Sequence, residues 1–187
     1  MLAPLRISLV LLILCGGIYP AAVTLAGQLM PYHANGSLVT NASGQVVGSE
    51  LIAQPFTSDR YFQPRPSAAG ANGYDATASA GSNLGPTNQM LVDRVKASAD
   101  ALRLQNPALA TVPADLVTTS GSGLDPDISA AAAMAQVPRV AAARGMAEQA
   151  VADLVRAHTI GRDLGIFGDP RVNVLLLNLA LDASSQH

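Results

Sequence analysis

The sequence predicts an α+β protein dominated by helices: one N-terminal transmembrane helix, then a single extracytoplasmic domain with a few short strands. Three observations carry this expectation. No Lys, Arg, Asp or Glu stands between Arg6 and Glu50, and Ile7 to Met30 is almost wholly apolar. Beyond that run, several segments repeat apolar residues at helical spacing and are bounded by capping residues. Short β-branched runs lie between Gly, Ser and Asn clusters, which suits brief strands. Residues 1–30 are read as the anchor and residues 31–187 as one domain, long enough to bury a real core.

The anchor comes first. Ile7 to Ala26 covers the roughly 30 Å hydrocarbon thickness of a bilayer at about 1.5 Å per helical residue, so a helix over 7–27 is expected to span it. Gly16, Gly17 and Pro20 would weaken such a helix in water but are tolerated where a partner helix packs closely. A cleaved signal peptide is the main competitor, since Thr24-Leu25-Ala26 loosely resembles a small-residue cut site. Leu12 to Gly16 also resembles a lipoprotein box, but Leu14 is bulky where a small residue should precede Cys15. A retained anchor is favoured because the run is long. Arg6 flanks one end and no Lys or Arg follows until Arg60, so the positive-inside rule puts the N-terminus in the cytoplasm and the domain outside.

The remaining elements follow in order. Ser37 to Thr40 and Gln45 to Val47 read as a hairpin around a turn at Asn41 to Gly44. Asp59 to Asn88 is a long Gly/Pro/Ser/Asn-rich loop whose aromatic residues Tyr61, Phe62 and Tyr74, with Phe56 just before it, favour an ordered, packed segment. A helix is expected from Asn88 to Leu104, capped by Thr87 or Asn88 and ended by Asn106-Pro107. Asp115 to Thr118 is a strand candidate and Ser120 to Pro126 a loop. Ser129 caps an alanine-rich helix to about Gln136, and Pro138 starts or kinks the next, which ends near Gly145. Met146 to His158 forms another helix, with Val151, Leu154 and Val155 as its apolar stripe. Asp169-Pro170 resembles a cap opening a helix over Arg171 to Asp182, although Val172 to Leu179 also suits a buried strand.

Charge and motif exclude several chemistries. Eleven basic against thirteen acidic residues, with no basic cluster, argue against a nucleic-acid surface. The single cysteine, Cys15, has no partner for an internal disulfide. Ser120 to Gly123 lacks the first glycine of a serine nucleophile elbow, and a triad would have to recruit His158, because His33 adjoins the anchor and His187 ends the chain. No His-x-x-x-His pair offers a metal site, and Asp125-Pro126-Asp127 reads as a turn rather than a cation site. The lone lysine, Lys96, is not in a Walker A loop, and the Asp-Lys-Thr-Gly phosphorylation sequence of P-type ATPases is absent. Neither a catalytic residue nor a metal ligand is expected. Gln136 and Arg139, three apart on a helix, could grip an anion together; taken alone they read as exposed residues flanking a proline.

The loop strings carry a resemblance. Gly48 to Phe56, Tyr61-Phe62-Gln63-Pro64-Arg65-Pro66-Ser67-Ala68, Ser79 to Leu84, Asp115 to Asp125, Gln136-Val137-Pro138-Arg139-Val140-Ala141 and Val172 to Asp182 closely resemble, in the same order, the C subunit of the bacterial Kdp potassium-transporting ATPase. The resemblance implies an inner-membrane complex for high-affinity, ATP-driven potassium uptake. It also implies partners: an A subunit with the potassium filter, a B subunit that is the phosphorylated P-type ATPase, and a small F subunit. This chain would be the non-catalytic accessory subunit, stabilising assembly of A with B. Gly16, Gly17 and Pro20 would pack against partner helices, and the Arg60 to Asn88 loop, with Tyr61, Phe62, Arg65, Ser82 and Asn83, would dock on A. The alternative implied by the family is a catalytic chaperone that raises the ATP affinity of B, with Gln136 and Arg139 at the nucleotide. No firmly bound cofactor is expected; any ATP contact would come through B. The expected orientation opposes that alternative, because it puts a bilayer between Gln136 and the ATP.

Overall fold

A computed structural model describes residues 2–184, so His187 lies outside the described residues. The chain divides into two compact units, the first ending at Leu38 and the second beginning at Val39.

The first unit is built on a continuous helix. α1 (Leu2–Ile13) passes through a π-helical turn at Leu14–Ile18 into α2 (Tyr19–Gly27). The 26 residues make a helix long and apolar enough to cross a membrane, and none is buried within the chain. It starts five residues earlier than the Ile7 boundary, since Leu2 to Leu5 are good helix residues apart from Pro4 in the first turn, where proline is tolerated. The π turn has a local cause. Pro20 has no N–H for the Gly16 carbonyl and its ring crowds that carbonyl. The backbone widens at the two glycines, and the Tyr19 N–H reaches the Leu14 carbonyl, five residues back. A single-turn helix, α3 (Pro31–Ala34), follows. The Tyr32 hydroxyl donates to the Ser37 carbonyl (3.3 Å) and the His33 ring meets the Ser37 hydroxyl (3.2 Å).

The second unit opens with β1 (Leu38–Thr40), which straddles the boundary, paired to β2 (Val46–Ser49). Asn41 makes the turn: its Oδ1 accepts from the Ser43 and Gln45 amides at 3.1 and 2.9 Å. Residues 50–88 then run without helix or strand to α4 (Gln89–Gln105), whose start Asn88 caps by accepting from the Met90 amide. The core lies beyond. β3 (Asp127–Ser129), α5 (Ala130–Arg144), α6 (Glu148–Ala157), β4 (Thr159–Ile160), β5 (Arg171–Asn173) and α7 (Val174–Ser184) follow in sequence. The sheet order is β3-β5-β4, antiparallel throughout, with Ile128 and Thr159 flanking Val172. Ile128, Val137, Val140, Val151, Val155, Val172, Leu177 and Leu181 interlock between sheet and helices. The alanines of α5 at 132, 133 and 141 are buried and let its neighbours approach closely.

Most expected elements are present; α3 and β4 are additional, and four segments differ from expectation. Asp115 to Thr118 is not a strand: Ala114–Leu116 is a 3-10 turn. Thr118 bonds back to the Ala114 carbonyl through both its amide and its hydroxyl (2.9 and 2.7 Å). Leu116 and Val117 are both buried, which breaks strand alternation. Pro138 neither starts nor ends a helix, because α5 runs through it from the Ser129 cap to a left-handed Gly145. Asp127 to Ser129, outside the predicted strands, is one because β5 gives its backbone partners. The last apolar run is both alternatives in succession, strand to Asn173 and helix from Val174. Asp169 does not cap that helix; it pairs with Arg162, and Asn173 Oδ1 accepts from the Leu176 amide instead.

Candidate functional site

The Gln136–Arg139 pair sits on the face of α5 turned toward the long loop, and both side chains are buried. α5 extends unbroken past Pro138, so the two lie on one face three residues apart. Against them runs Asp59 to Gln63 as a strap. Gln136 binds the Gln63 backbone at both ends: Oε1 accepts from its amide (2.8 Å) and Nε2 donates to its carbonyl (3.1 Å). Nε2 also donates to the Ala132 carbonyl (3.4 Å), and Oε1 accepts from Arg139 (2.8 Å). An amide offers two donors and two acceptor sites, and all four are engaged. The Arg139 guanidinium donates to the carbonyls of Asp59 (2.8 Å) and Tyr61 (3.1 Å) and lies 3.7 Å from the Asp59 carboxylate. Burial lowers the Arg139 pKa and the Asp59 charge opposes that; a guanidinium stays charged regardless.

The other side of the strap is held by α7. Asn178, almost fully buried, accepts from the Phe62 amide (2.8 Å) and donates to its carbonyl (2.9 Å). Two side-chain amides thus replace a neighbouring strand for two consecutive residues, satisfying backbone groups that burial would otherwise orphan. Phe62 is thereby driven into the core, where it is fully buried. Tyr61 turns outward: its hydroxyl donates to Asp182 (3.1 Å), and its ring lies under the Arg144 guanidinium (4.9 Å) and beside Phe56. Arg144 closes the set, donating to the Arg60 carbonyl (2.6 Å) and pairing with Asp182 (2.8 Å). Asn178, Asp182 and Arg144 were not expected here. The available signal was an asparagine inside a leucine-rich run, which must find internal partners if the run is buried.

The rest of the loop packs on residues 119–125. Arg65 bonds Asp125 (3.1 Å) and the Thr119 carbonyl (3.3 Å), and Ser67 donates to the Gly123 carbonyl (2.6 Å). Gly123 has φ +67°, and a Cβ there would collide with the Ala80 carbonyl. Ser82 is half-buried, and Asn83 is exposed in a left-handed conformation (φ 53°). Of the loop residues expected to dock on a partner, Tyr61, Phe62 and Arg65 are therefore engaged within the chain. In the first unit, Gly16 and Gly17 lie in the π turn, with Pro20 just after it. They lie on or beside a shallow groove lined by Leu12, Ile13, Gly16, Gly17, Ile18 and Ala21.

Other candidates are occupied. The Ser120 and Ser122 hydroxyls meet at 3.3 Å, and the His158 ring bonds the Leu154 carbonyl of its own helix. Asp125 makes the expected turn, accepting from the Asp127 amide (3.1 Å). Asp127 pairs with Arg171 (3.2 Å); burial first, and then Asp125, raise its pKa above the ordinary carboxylate value. These carboxylates line a cavity of about 300 Å³ together with Arg65, Asp115, Asp169 and Arg171. Among the described residues no group of three or more His, Cys, Asp or Glu is arranged to hold a metal ion.

Comparison with known proteins matches the same span. Residues 1–183 fit the family described as "KdpC: K+-transporting ATPase, c chain". The "Potassium-transporting ATPase KdpC subunit" of Rhodopseudomonas palustris (strain BisB18) is 54% identical over 200 residues, covering 98% of this chain and 100% of the relative. The same-named subunit of Myxococcus xanthus is 57% identical over 97% of this chain and 86% of its own length. That of Caulobacter vibrioides (strain NA1000 / CB15N) is 56% identical over 98% and 94%. An apolar N-terminal helix, a small α+β unit and a family match running through both lead to one conclusion: the chain belongs to the KdpC family, the c chain of the K+-transporting ATPase.

Proposed function

We propose that this chain is a non-catalytic accessory subunit that stabilises assembly of a channel-like A subunit with an ATP-hydrolysing B subunit in a potassium-uptake complex, with a small F subunit alongside. None of the residues of the apolar helix Leu2–Gly27 is buried, so its apolar face needs lipid or another subunit's helices. Gly16, Gly17 and Pro20 supply a widened, side-chain-poor stretch against which a partner helix can pack. With Arg6 at one end and no basic residue until Arg60, the positive-inside rule favours a cytoplasmic N-terminus in the inner membrane and a domain on the far side.

The observation that carries the non-catalytic reading is the full use of the Gln136 amide within the fold. A nucleotide contact there would have to release the Gln63 backbone and the Arg139 guanidinium. In this reading Gln136 and Arg139 are the braces of the strap, and ATP stays with B. Gln136→Ala in the assembled complex tests it. The ATP concentration for half-maximal activity should be unchanged, while the variant chain unfolds at lower temperature. A rise of about tenfold, worth roughly 1.4 kcal/mol of nucleotide affinity, with assembly intact would favour the catalytic-chaperone reading instead.

A further inference from the structure

Gly161 to Pro170, the connection between β4 and β5, is exposed at every residue yet is an ordered finger. Asp163 and Phe167 exchange both backbone hydrogen bonds at 2.9 Å, and the Ile166 amide reaches the Asp163 carbonyl at 3.2 Å. Leu164 (φ 53°) and Gly165 (φ 78°) are the two left-handed residues of the turn. Two ion pairs brace the base, Arg162–Asp169 (3.2 Å) and Arg171–Asp163 (3.3 Å). The tip is apolar: Leu164 is 89%, Ile166 69% and Phe167 61% exposed. Left-handed backbone suits Gly, Asn or Asp, and a leucine there is strained. Strain and exposure together give the fold nothing in return, and contiguous exposed apolar side chains mark contact surfaces.

We infer that Leu164, Ile166 and Phe167 form a docking finger that inserts into an uncharged, apolar pocket on the extramembrane surface of another subunit of the ATPase. This deepens the accessory-subunit reading and rests on it. Three features select that occupant. The chain belongs to a family of ATPase subunits and carries an apolar helix, long enough to cross a membrane, none of whose residues is buried. Three side chains fall far short of the roughly 1,200 Å² that a free-standing specific interface buries, so the finger alone would not hold two copies of this chain together. A subunit already held through its helix needs only a small second contact, because that contact forms at high effective concentration. The base is also neutral, Arg162 and Arg171 each being matched by Asp169 and Asp163, which leaves no positive excess to draw the tip to an anionic lipid surface.

The full-length chain, co-expressed with the other subunits, should carry a photoreactive benzoyl-phenylalanine at Phe167 or, as a control, at Gln149 on the exposed face of α6. The finger probe should give an adduct with a larger partner subunit and the control none. An adduct with a second copy, an adduct with lipid, or no adduct at all would overturn the inference. In parallel, a chain with Leu164→Asn, Ile166→Ser and Phe167→Ser should unfold at a temperature no lower than the parent but bind the remaining subunits about tenfold or more weakly, as expected for loss of buried anchors. If that chain binds unchanged while Gly17→Leu weakens binding, the finger is removed and the accessory-subunit reading stands. A raised ATP requirement in Gln136→Ala would strike at that reading and not at the finger.

Discussion

Asn178 does for one backbone residue what a neighbouring strand would do, and its replacement should be costly. In Asn178→Ala the buried amide and carbonyl of Phe62 both lose their partners, at about 1–3 kcal/mol for each orphaned group. A loss of about 2–4 kcal/mol in denaturant unfolding is expected, and a loss below about 0.5 kcal/mol would mean water replaces the side chain freely. Asp127 gives a pH test. Its folded pKa is raised by burial and by Asp125, so just above the ordinary carboxylate range the folded chain holds a proton that the unfolded chain has released. Stability from this residue therefore falls as pH rises through that window and recovers as pH drops below it. Unfolding midpoints measured across that range should show this slope, and Asp127→Asn should flatten it.

At the level of elements, the strap and the two packed loops join the long irregular segment to the core. Gly123→Ala should destabilise by about 2 kcal/mol or more, since it combines a left-handed backbone with a collision against Ala80. Thermal unfolding against the parent chain checks this. In the finger the opposite sign is expected: Leu164→Asn relieves left-handed strain at an exposed site and should stabilise the isolated chain by up to about 1 kcal/mol. These contrasts show which parts of the fold were legible in the sequence. The helices α4 and α6, the two ends of α5 and the Asn41 turn follow from caps or periodicity, which are local; the continuity of α5 through Pro138 does not. Asn88, Ser129 and Gly145 act at the termini as their chemistry requires. β3 and β5 are three residues long and exist because they meet across the chain, which no local pattern reveals. The same reason hid the partners of the strap, Asn178 and Gln136, which lie far from Phe62 and Gln63 in the chain. Gln136 and Arg139 were readable as a pair, but their partner is a backbone more than seventy residues away.

For the whole molecule, an apolar helix and a low-charge domain compose one chain of the KdpC family, the c chain of the K+-transporting ATPase. Gln136 and Arg139 are buried under the chain's own loop, whereas Leu164, Ile166 and Phe167 of the finger are exposed; on the proposed reading the first serve stability and the second association. The central claim is that this domain lies across the membrane from the nucleotide, and one measurement bears on it most directly. Gly121 is exposed with open space at its Cβ position, so Gly121→Cys in a chain carrying Cys15→Ala, expressed with the other subunits, presents a single thiol on the domain surface. Treated in intact cells with a membrane-impermeant thiol reagent, it should be labelled as fully as after permeabilisation. Labelling that appears only after the membrane is opened would put the domain in the cytoplasm and contradict the account.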